Sequence, residues 1–479
     1  MKFNSINKKI IAFTLVVLPV LGLASGDGNS HVPHLDGTLA NLSIFWVIPF
    51  VGILLSIAII PLFLPELWHH HYGKVSLFWV VLFVFPCLVK EGLNVTGYEL
   101  LHVGLLEYFP FIILLLSLFT ISGGICLTGT LVGKPIVNVI IIFVGTVLAS
   151  WMGTTGAAML LIRPLIRANK QRQHKVHVIV FFIFLVANIG GSLTPLGDPP
   201  LFLGFLKGVD FFWTTKAMFM PMLFMVISLL TIFFIMDTIY YRKEKIPELL
   251  NIENHKLGLE GSFNIILIAG VVGAVLLSGF WDPHVSFTCH YVEIELQNLI
   301  RDILLLTLAY ASWVFTPQYI RDNNEYTWFP IVEVAKLFAG IFVTIIPAIA
   351  ILKAGTDGAL ASIINSVSNE TGPVNYMYFW AAGILSSFLD NAPTYLVFFN
   401  TAGGDPVILM GELYDTLLAI SAGAVFMGAN TYIGNAPNFM VKSISESAGF
   451  EMPSFFGYLV KWSLPILFPL FILVSLIFF

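Results

Sequence analysis

Ser150–Ala157 (SWMGTTGA) and its counterpart Ser386–Pro393 (SSFLDNAP) are polar breaks, containing glycine or proline, inside strongly apolar sequence. A second break follows each of them, Gly197–Pro200 (GDPP) in the first half and Gly434–Pro437 (GNAP) in the second. The offsets of the two pairs, from 150 to 386 and from 197 to 434, agree to within one position. Unwound backbone is tolerated at membrane depth only where it lines a cavity, so paired breaks at matching positions indicate a transporter substrate site.

The composition is that of a polytopic membrane protein. Of the 479 residues, 57% are hydrophobic and 11% charged, with a mean hydropathy of +0.89; one soluble core cannot bury so much apolar surface. Apolar runs of about 20 residues predict spans at 44–65, 75–90, 108–128, 177–208, 214–241, 262–281, 300–316, 329–354, 415–445 and 458–479. The dispersed net charge of -5 gives no support for a nucleic-acid partner.

The first 26 residues have the pattern of a targeting segment. Lys8 and Lys9 precede a short apolar run that ends in small residues at 24–26. This pattern predicts a signal peptide at 1–26, with an uncleaved first helix as the alternative. Both interpretations place residues 27–43 outside the cytoplasm.

The apolar stretches 135–167 and 374–400 contain the first pair of breaks, and we predict that each is a helical hairpin that enters and leaves by one face. The densest basic cluster, at 163–177, follows the first hairpin and belongs in the cytoplasm. The loop 355–373 has no Lys or Arg before the second hairpin and is expected outside. The two hairpins therefore have opposite orientations; if 135–167 were a full span, every later loop would change sides.

The predicted fold is an all-α polytopic membrane protein built from an inverted repeat, with two opposed re-entrant hairpins and two broken transmembrane helices. The first repeat covers 27–245 and contains the hairpin 135–167 and the broken helix 177–208. A connecting span and loop cover 246–300. The second repeat covers 301–479, with its hairpin at 374–400 and its broken helix at 415–445.

The hairpin tips and helix breaks carry the candidate ion- and proton-binding residues. These are Asp390, Asp198, Asn391, Thr154, Thr155, Asn435, Thr431, Asn430 and Thr194. Hydroxyl, amide and backbone carbonyl oxygens suit a hard cation such as sodium. The three cysteines lack CxxC spacing, so we expect no transition-metal site and no catalytic residues.

The two carboxylates support the sharpest functional inference. A charge at membrane depth is costly, so Asp198 and Asp390 are functional candidates. Burial raises the pKa of a carboxyl group and a bound cation lowers it, so one aspartate can hold either a proton or sodium. Asp198 also precedes Pro199 as a helix N-cap would, which makes Asp390 the stronger candidate ion ligand. Thr154 and Thr155 could instead bond to helix carbonyls.

Two further groups of polar residues lie near span ends. Glu333 and Lys336, one helical turn apart, are read as an intrahelical ion pair, with a proton relay as the alternative. His69–His71 are read as a solvated loop beside the membrane, with a pH-sensing patch as the alternative.

Three segments resemble the NhaD-type sodium/proton antiporters of the ion transporter superfamily: Leu196–Gly204 (LGDPPLFLG), Ser387–Pro393 (SFLDNAP) and Gly428–Asn438 (GANTYIGNAPN). The dicarboxylate branch has Ser-Asn-Thr at its hairpin tips, where this chain has Gly153–Thr155 and Asp390–Ala392. The resemblance implies a homodimer with a scaffold domain and a moving transport domain that carries the hairpins and broken helices. The superfamily also contains citrate and arsenite carriers.

We therefore expect a multi-pass inner-membrane secondary transporter that exchanges cytoplasmic sodium or lithium for external protons. It needs no cofactor, and the sequence lacks GxxxxGK[ST]. The alternative is sodium-coupled uptake of citrate or a dicarboxylate, which would need helix N-termini to hold the anion. A remote alternative is an intramembrane metal-dependent enzyme that uses the three histidines; HExxH is absent.

Overall fold

The computed structural model describes residues 32–38, 40–244, 256–369 and 372–479. Within these ranges, nine helices are long and apolar enough to cross a membrane. The predicted class of all-α polytopic membrane protein is confirmed. The predicted signal peptide or first helix at 1–26 lies outside the described residues.

The chain forms 21 α-helices in its described part. Those before residue 245 are α1 (Ile48–Phe63), α2 (Pro65–Val103), α3 (Phe109–Ser122), α4 (Pro135–Met152), α5 (Thr154–Asn169), α6 (Val176–Leu185), α7 (Pro199–Leu206) and α8 (Phe211–Lys243). The later ones are α9 (Phe263–Phe280), α10 (Leu296–Phe315), α11 (Gln318–Asn323), α12 (Phe329–Thr344), α13 (Ile346–Lys353), α14 (Ala361–Val367), α15 (Asn375–Phe388), α16 (Asn391–Thr401), α17 (Pro406–Met410), α18 (Tyr414–Met427), α19 (Ala436–Ser447), α20 (Phe455–Tyr458) and α21 (Phe468–Phe478).

Within the described ranges, three short antiparallel ribbons lie between the helices. They are β1 (Cys126–Thr128) with β2 (Gly258–Glu260), β3 (Ser286–Cys289) with β4 (Val292–Glu295), and β5 (Ser368–Asn369) with β6 (Gly372–Pro373). In the first ribbon Leu127 is opposite Leu259. This ribbon joins two loops that are distant in the chain, whereas the other two pair neighbouring strands.

The second and third predicted spans are joined without the expected loop. Helix α2 continues past residue 90, and a π-helical turn at Gly104–Tyr108 leads directly into α3. The chain changes direction at Gly92, whose φ of 80° and ψ of 177° break the helix in a single residue. Glycine adopts this conformation at no steric cost. Thr96 Oγ1 contacts Cys87 Sγ at 3.4 Å across the turn.

The three consecutive histidines are helical, so the prediction of a loop at His69–His71 is wrong. Pro65 occupies the first turn of α2 and starts a new helix. The His69 ring packs on Phe329 with their centroids 4.8 Å apart. This contact fixes the start of α2 against the start of α12.

Each predicted hairpin is a pair of antiparallel helices. Between α4 and α5 stands only Gly153, and at the other end Gly133 N donates to Ala168 O at 2.8 Å. Between α15 and α16 stand Leu389 and Asp390. The ends of the first hairpin therefore meet on one side of the molecule; how deeply either hairpin enters a membrane remains a prediction.

Both predicted broken helices are interrupted in their middle. Helix α6 ends at Leu185, a 3₁₀ turn covers Ile189–Leu193, and α7 starts at Pro199. Helix α18 ends at Met427, a 3₁₀ turn covers Gly428–Asn430, and α19 starts at Ala436. Between the two helices of each pair lies non-helical backbone that needs polar partners.

Loops that were predicted on the same side of the membrane contact one another. Arg163, in the basic cluster expected in the cytoplasm, pairs with Glu325 at 3.1 Å. Glu325 belongs to the loop 317–328, which the order of the predicted spans places on the same side. On the opposite side, Leu35 N donates to Glu99 at 2.9 Å. The contacts agree with the predicted sides.

Buried apolar side chains form two large clusters. The first cluster joins α4–α6 and α8 to α15, α16, α18 and the C-terminal helices. The second joins α1–α3 to α9, α12 and α13, and includes the inner faces of α7 and α16. The hairpins and broken helices thus share mainly one core and pack against the other.

Candidate functional site

Four helices begin at one point in the centre of the molecule, around the carboxylate of Asp198. Asp198 immediately precedes α7, and three other helix starts supply its hydrogen-bond donors. Thr154 Oγ1 and Asn435 Nδ2 donate to Oδ1 at 3.1 and 2.9 Å. Asn391 Nδ2 donates to Oδ2 at 2.6 Å. The carboxylate is 1% exposed and joins both hairpin tips to both breaks.

The helix starts give this point a favourable potential for negative charge. The first backbone N–H groups of a helix have no partner inside the helix and carry partial positive charge. Four helix ends meet here, at Thr154, Pro199, Asn391 and Ala436. Helix α7 begins with two prolines, which have no N–H group, so it contributes through its dipole and not through its first two N–H groups. They can stabilise a carboxylate without a nearby Lys or Arg.

Asp390, rather than Asp198, acts as a helix cap. The Asp390 side chain accepts from Ala392 N at 3.1 Å at the start of α16. Asp198 makes no side-chain bond to the start of its own helix α7. The capping role considered for Asp198 is therefore wrong in this conformation, because its two oxygens are used by side chains of other segments.

Two adjoining cavities reach these carboxylates. The smaller, of about 90 Å³, is lined by Asp198, Asp390, Thr154, Thr155 and Asn435 together with apolar side chains. The larger, of about 480 Å³, is lined by Asp390 and Asn435 at one end and by Glu66, His69 and His70 at the other. The first predicted span runs from residues 27–43, expected outside, to His69–His71, which the prediction therefore places in the cytoplasm. Asp390 thus lies on a path toward the predicted cytoplasmic side.

Thr194, Thr431 and Asn430 hold the helix breaks and line neither cavity. Thr194 Oγ1 donates to Ser150 O, and Thr431 Oγ1 donates to Ser387 O. Asn430 Nδ2 donates to Ser387 Oγ at 2.9 Å. These three side chains thus donate hydrogen bonds from the helix breaks to the adjoining hairpins, whereas Thr155 lies at the cavity wall.

The matching hydrogen bonds identify Ser150 and Ser387 as counterparts in the two halves. Ser150 Oγ donates to Gly190 O, and Ser387 Oγ donates to Met427 O. The offset from 150 to 387 equals the offset from 190 to 427. Sequence comparison had paired Ser150 with Ser386, one residue too early. Neither serine was among the candidate site residues, although one constant offset for both breaks could have found them.

With this offset, the two halves provide unlike groups at matching places. Gly153 corresponds to Asp390, and Asp198 corresponds to Asn435. One half therefore contributes its carboxylate from a helix break and the other from a hairpin tip. The two charges occupy different surroundings.

Asn188 and Asn438 link the two broken helices. Asn188 Nδ2 donates to Asn438 Oδ1 at 2.7 Å. Asn438 Nδ2 in turn donates to Gly428 O and Thr431 O, both at 2.9 Å. Their position 250 residues apart in the chain gave no signal for this pair.

A family model described as "Putative citrate transport" matches residues 39–479. The chain belongs to this family. A search of curated proteins finds no match to the chain. With its apolar helices, the family assignment makes the chain a multi-pass secondary transporter. The family description favours the carboxylate-uptake alternative over the antiport that the sequence motifs favoured, and it favours a transporter over an enzyme.

Proposed function

We propose that this transporter exchanges cytoplasmic sodium or lithium for external protons. The observation that carries the proposal is the Asp198 carboxylate, fully buried among neutral donors and sharing a cavity with Asp390. Among the described residues that line the two cavities there is no Lys or Arg. An unpaired carboxylate at this depth is best satisfied by a proton or a metal cation, which compete for it.

The donors around Asp198 can change roles when an ion binds. In the present arrangement Asn391 donates through Nδ2, and its buried Oδ1 has no hydrogen-bond partner among the described residues. Rotation of this amide about its last bond would turn an oxygen toward the carboxylate. Asn391, Asn435, Thr154 and Thr155 would then complete an oxygen shell for sodium at Asp198 and Asp390.

Cation-coupled uptake of citrate or another carboxylate is the second candidate. The family description supports it, and four helix N-termini meet at the site, as an anion cradle would require. The cavity of about 480 Å³ has ample room for a small organic acid. The two aspartates oppose this function, because they already occupy the positive helix ends and would repel a bound anion.

Everted membrane vesicles separate the two functions. A pH gradient is imposed, a pH-sensitive dye reports it, and sodium, lithium, potassium or citrate is added. Antiport predicts collapse of the gradient by sodium or lithium in the wild type and no collapse in Asp390→Asn. A response to citrate alone, with labelled citrate accumulating in proteoliposomes, would establish the second function and exclude the first.

The remaining expectations belong to the same proposal. We expect the transporter to lie in the inner membrane, to act as a homodimer as the resemblance implies, and to need no cofactor beyond the transported ions. Light scattering of the detergent-purified protein measures the mass of the assembly. A mass of one chain, 53.0 kDa after subtraction of detergent, would remove the dimer from the proposal.

A further inference from the structure

We propose that Glu333 recruits cations into the cytoplasmic cavity and thereby sets the apparent affinity of the transporter for its ion. The inference rests on the proposed function. Glu333 is half-buried on α12 and lines the cavity of about 480 Å³ that ends at Asp390. It is distinct from the ion-binding residues proposed above, because it lies outside the hairpins and the helix breaks.

The carboxylate of Glu333 is held in place by α2. Trp68 Nε1 donates to Glu333 Oε1 at 3.1 Å. The other oxygen accepts no hydrogen bond from the described residues. A single neutral donor orients the group and leaves its charge in the cavity.

Lys336 does not neutralise Glu333, contrary to the ion pair expected from their spacing. Its ammonium group lies 5.2 Å from the centroid of the Tyr72 ring. No ion pair joins the two residues in the described part of the chain. Instead the lysine is held by an aromatic face, and Ser76 Oγ donates to its carbonyl oxygen at 2.9 Å.

The other acidic groups of this cavity add negative charge. Glu66 and Asp390 are carboxylates, and among the described lining residues there is no Lys or Arg. Lys442, behind the wall formed by Tyr432 and Phe439, pairs with Glu446 at 2.8 Å. The lining is therefore acidic from its mouth to Asp390.

Acidic lining in a cavity with low-dielectric walls concentrates cations. Field lines are focused there, so each carboxylate raises the local cation concentration, and salt screens the effect. Helix α12 borders both cavities, because its residues Val334 and Phe338 line each of them. A cation near Glu333 is thus already beside the wall of the binding site. Loss of this charge should alter apparent affinity more than turnover.

The charge of the cavity can be measured without any transport. Leu337, also on the cavity wall, is replaced by cysteine in a protein whose three native cysteines are replaced by alanine. Everted vesicles are treated at pH 8 with cationic and anionic methanethiosulfonates of similar size. The rate of modification by the cationic reagent is divided by that of the anionic reagent, and the result is divided by the same ratio for a free thiol. This normalised ratio should exceed one when Glu333 is present and fall about fivefold in Glu333→Gln.

Asp322→Asn is the matched control for this measurement. Asp322 is exposed on α11, lines neither cavity and accepts from Gln318 at 3.0 Å. The same charge change there should leave the ratio unaltered. A ratio that does not change in Glu333→Gln, or that changes equally in Asp322→Asn, would overturn the inference whatever the protein transports.

Transport kinetics supply the functional readout. Glu333→Gln should raise the half-saturating sodium concentration about fivefold at low ionic strength, with the maximal rate preserved, and added choline chloride should shrink the difference. Loss of the maximal rate at saturating sodium would instead mean that Glu333 takes part in turnover. If the wild type responds only to citrate, the proposed antiport fails, while the thiol measurement still decides the charge of the cavity.

Discussion

Asp198 and Asp390 differ in what each carboxylate touches, and the difference predicts different effects of removing each charge. Asp198 accepts three hydrogen bonds from Thr154, Asn391 and Asn435. Asp390 accepts one, from the first turn of its own helix. The Asp198 carboxylate therefore makes tertiary hydrogen bonds, whereas the Asp390 carboxylate makes a local one.

Asp198→Asn should abolish ion exchange with only a modest loss of stability. The new amide would face the Nδ2 donor of Asn391, and a buried unpaired donor costs about 1–3 kcal/mol. Rotation of Asn391, whose Oδ1 accepts no hydrogen bond within the described part of the chain, restores the bond. Dye-monitored exchange and thermal unfolding in detergent measure the two effects. Normal exchange in this variant would contradict a role for the Asp198 charge.

Asp390→Asn should also stop exchange and leave the melting temperature close to that of the wild type. Asparagine caps helices as well as aspartate does, whereas alanine loses about 1 kcal/mol. Asp390→Ala should therefore be the less stable of the two variants, with equal loss of exchange. If both variants melt alike, the bond to Ala392 N contributes nothing to stability.

At the scale of single elements, the two hairpin tips turn the chain with different residues and different backbone conformations. Gly153 has φ 80° and ψ 149°, a region essentially closed to residues with a Cβ. Its counterpart Asp390 has φ -56° and ψ 140°, which any residue adopts. The first tip therefore cannot carry a carboxylate at this position, and its half contributes Asp198 instead.

Gly153→Ala should destabilise the protein by about 1–3 kcal/mol, the usual cost of such a backbone conformation. The control is Gly273→Ala in the middle of α9, where an added Cβ meets nothing within 4 Å; alanine there should be neutral or slightly stabilising. Chemical unfolding in mixed micelles compares the pair. Equal stabilities of the two variants would show that the tip relaxes to another conformation.

At the scale of the whole molecule, an ion pair joins the end of α7 to the π-helical turn between α2 and α3. Lys207, at the end of α7, pairs with Glu107 in the π-helical turn. Their side chains are 22% and 6% exposed. Neither residue lines the cavity of about 480 Å³.

Glu107→Gln and Lys207→Met should each destabilise the protein, and the double variant should lose less than the sum of the two. Removal of one partner leaves a mostly buried charge unpaired, which costs about 1–3 kcal/mol at such partial exposure. Thermal unfolding of the wild type, the two single variants and the double variant gives the coupling free energy between the two groups. Additive effects would mean that the two groups do not stabilise each other.

The sequence by itself determined the class of protein, the approximate spans and the positions of the breaks. The length of apolar runs, the placement of proline and glycine and the charge of the loops are local properties of the chain. They do not depend on how distant segments pack. The same local rules were wrong at the loop expected before residue 108, because the chain is helical on both sides of a kink made by the single residue Gly92. They were wrong again at His69–His71, because Pro65 began a helix.

Only the tertiary structure decided which residues meet at the centre. Asp198 lies 193 residues from Asn391 and 237 from Asn435, and nothing local distinguishes it from a simple helix cap. Its hydrogen bonds depend on how the two hairpins and two broken helices pack into a common core. The same packing places Trp68 beside Glu333, 265 residues away, and separates Glu333 from Lys336. Such contacts follow from the arrangement of distant surfaces, which sequence spacing does not encode.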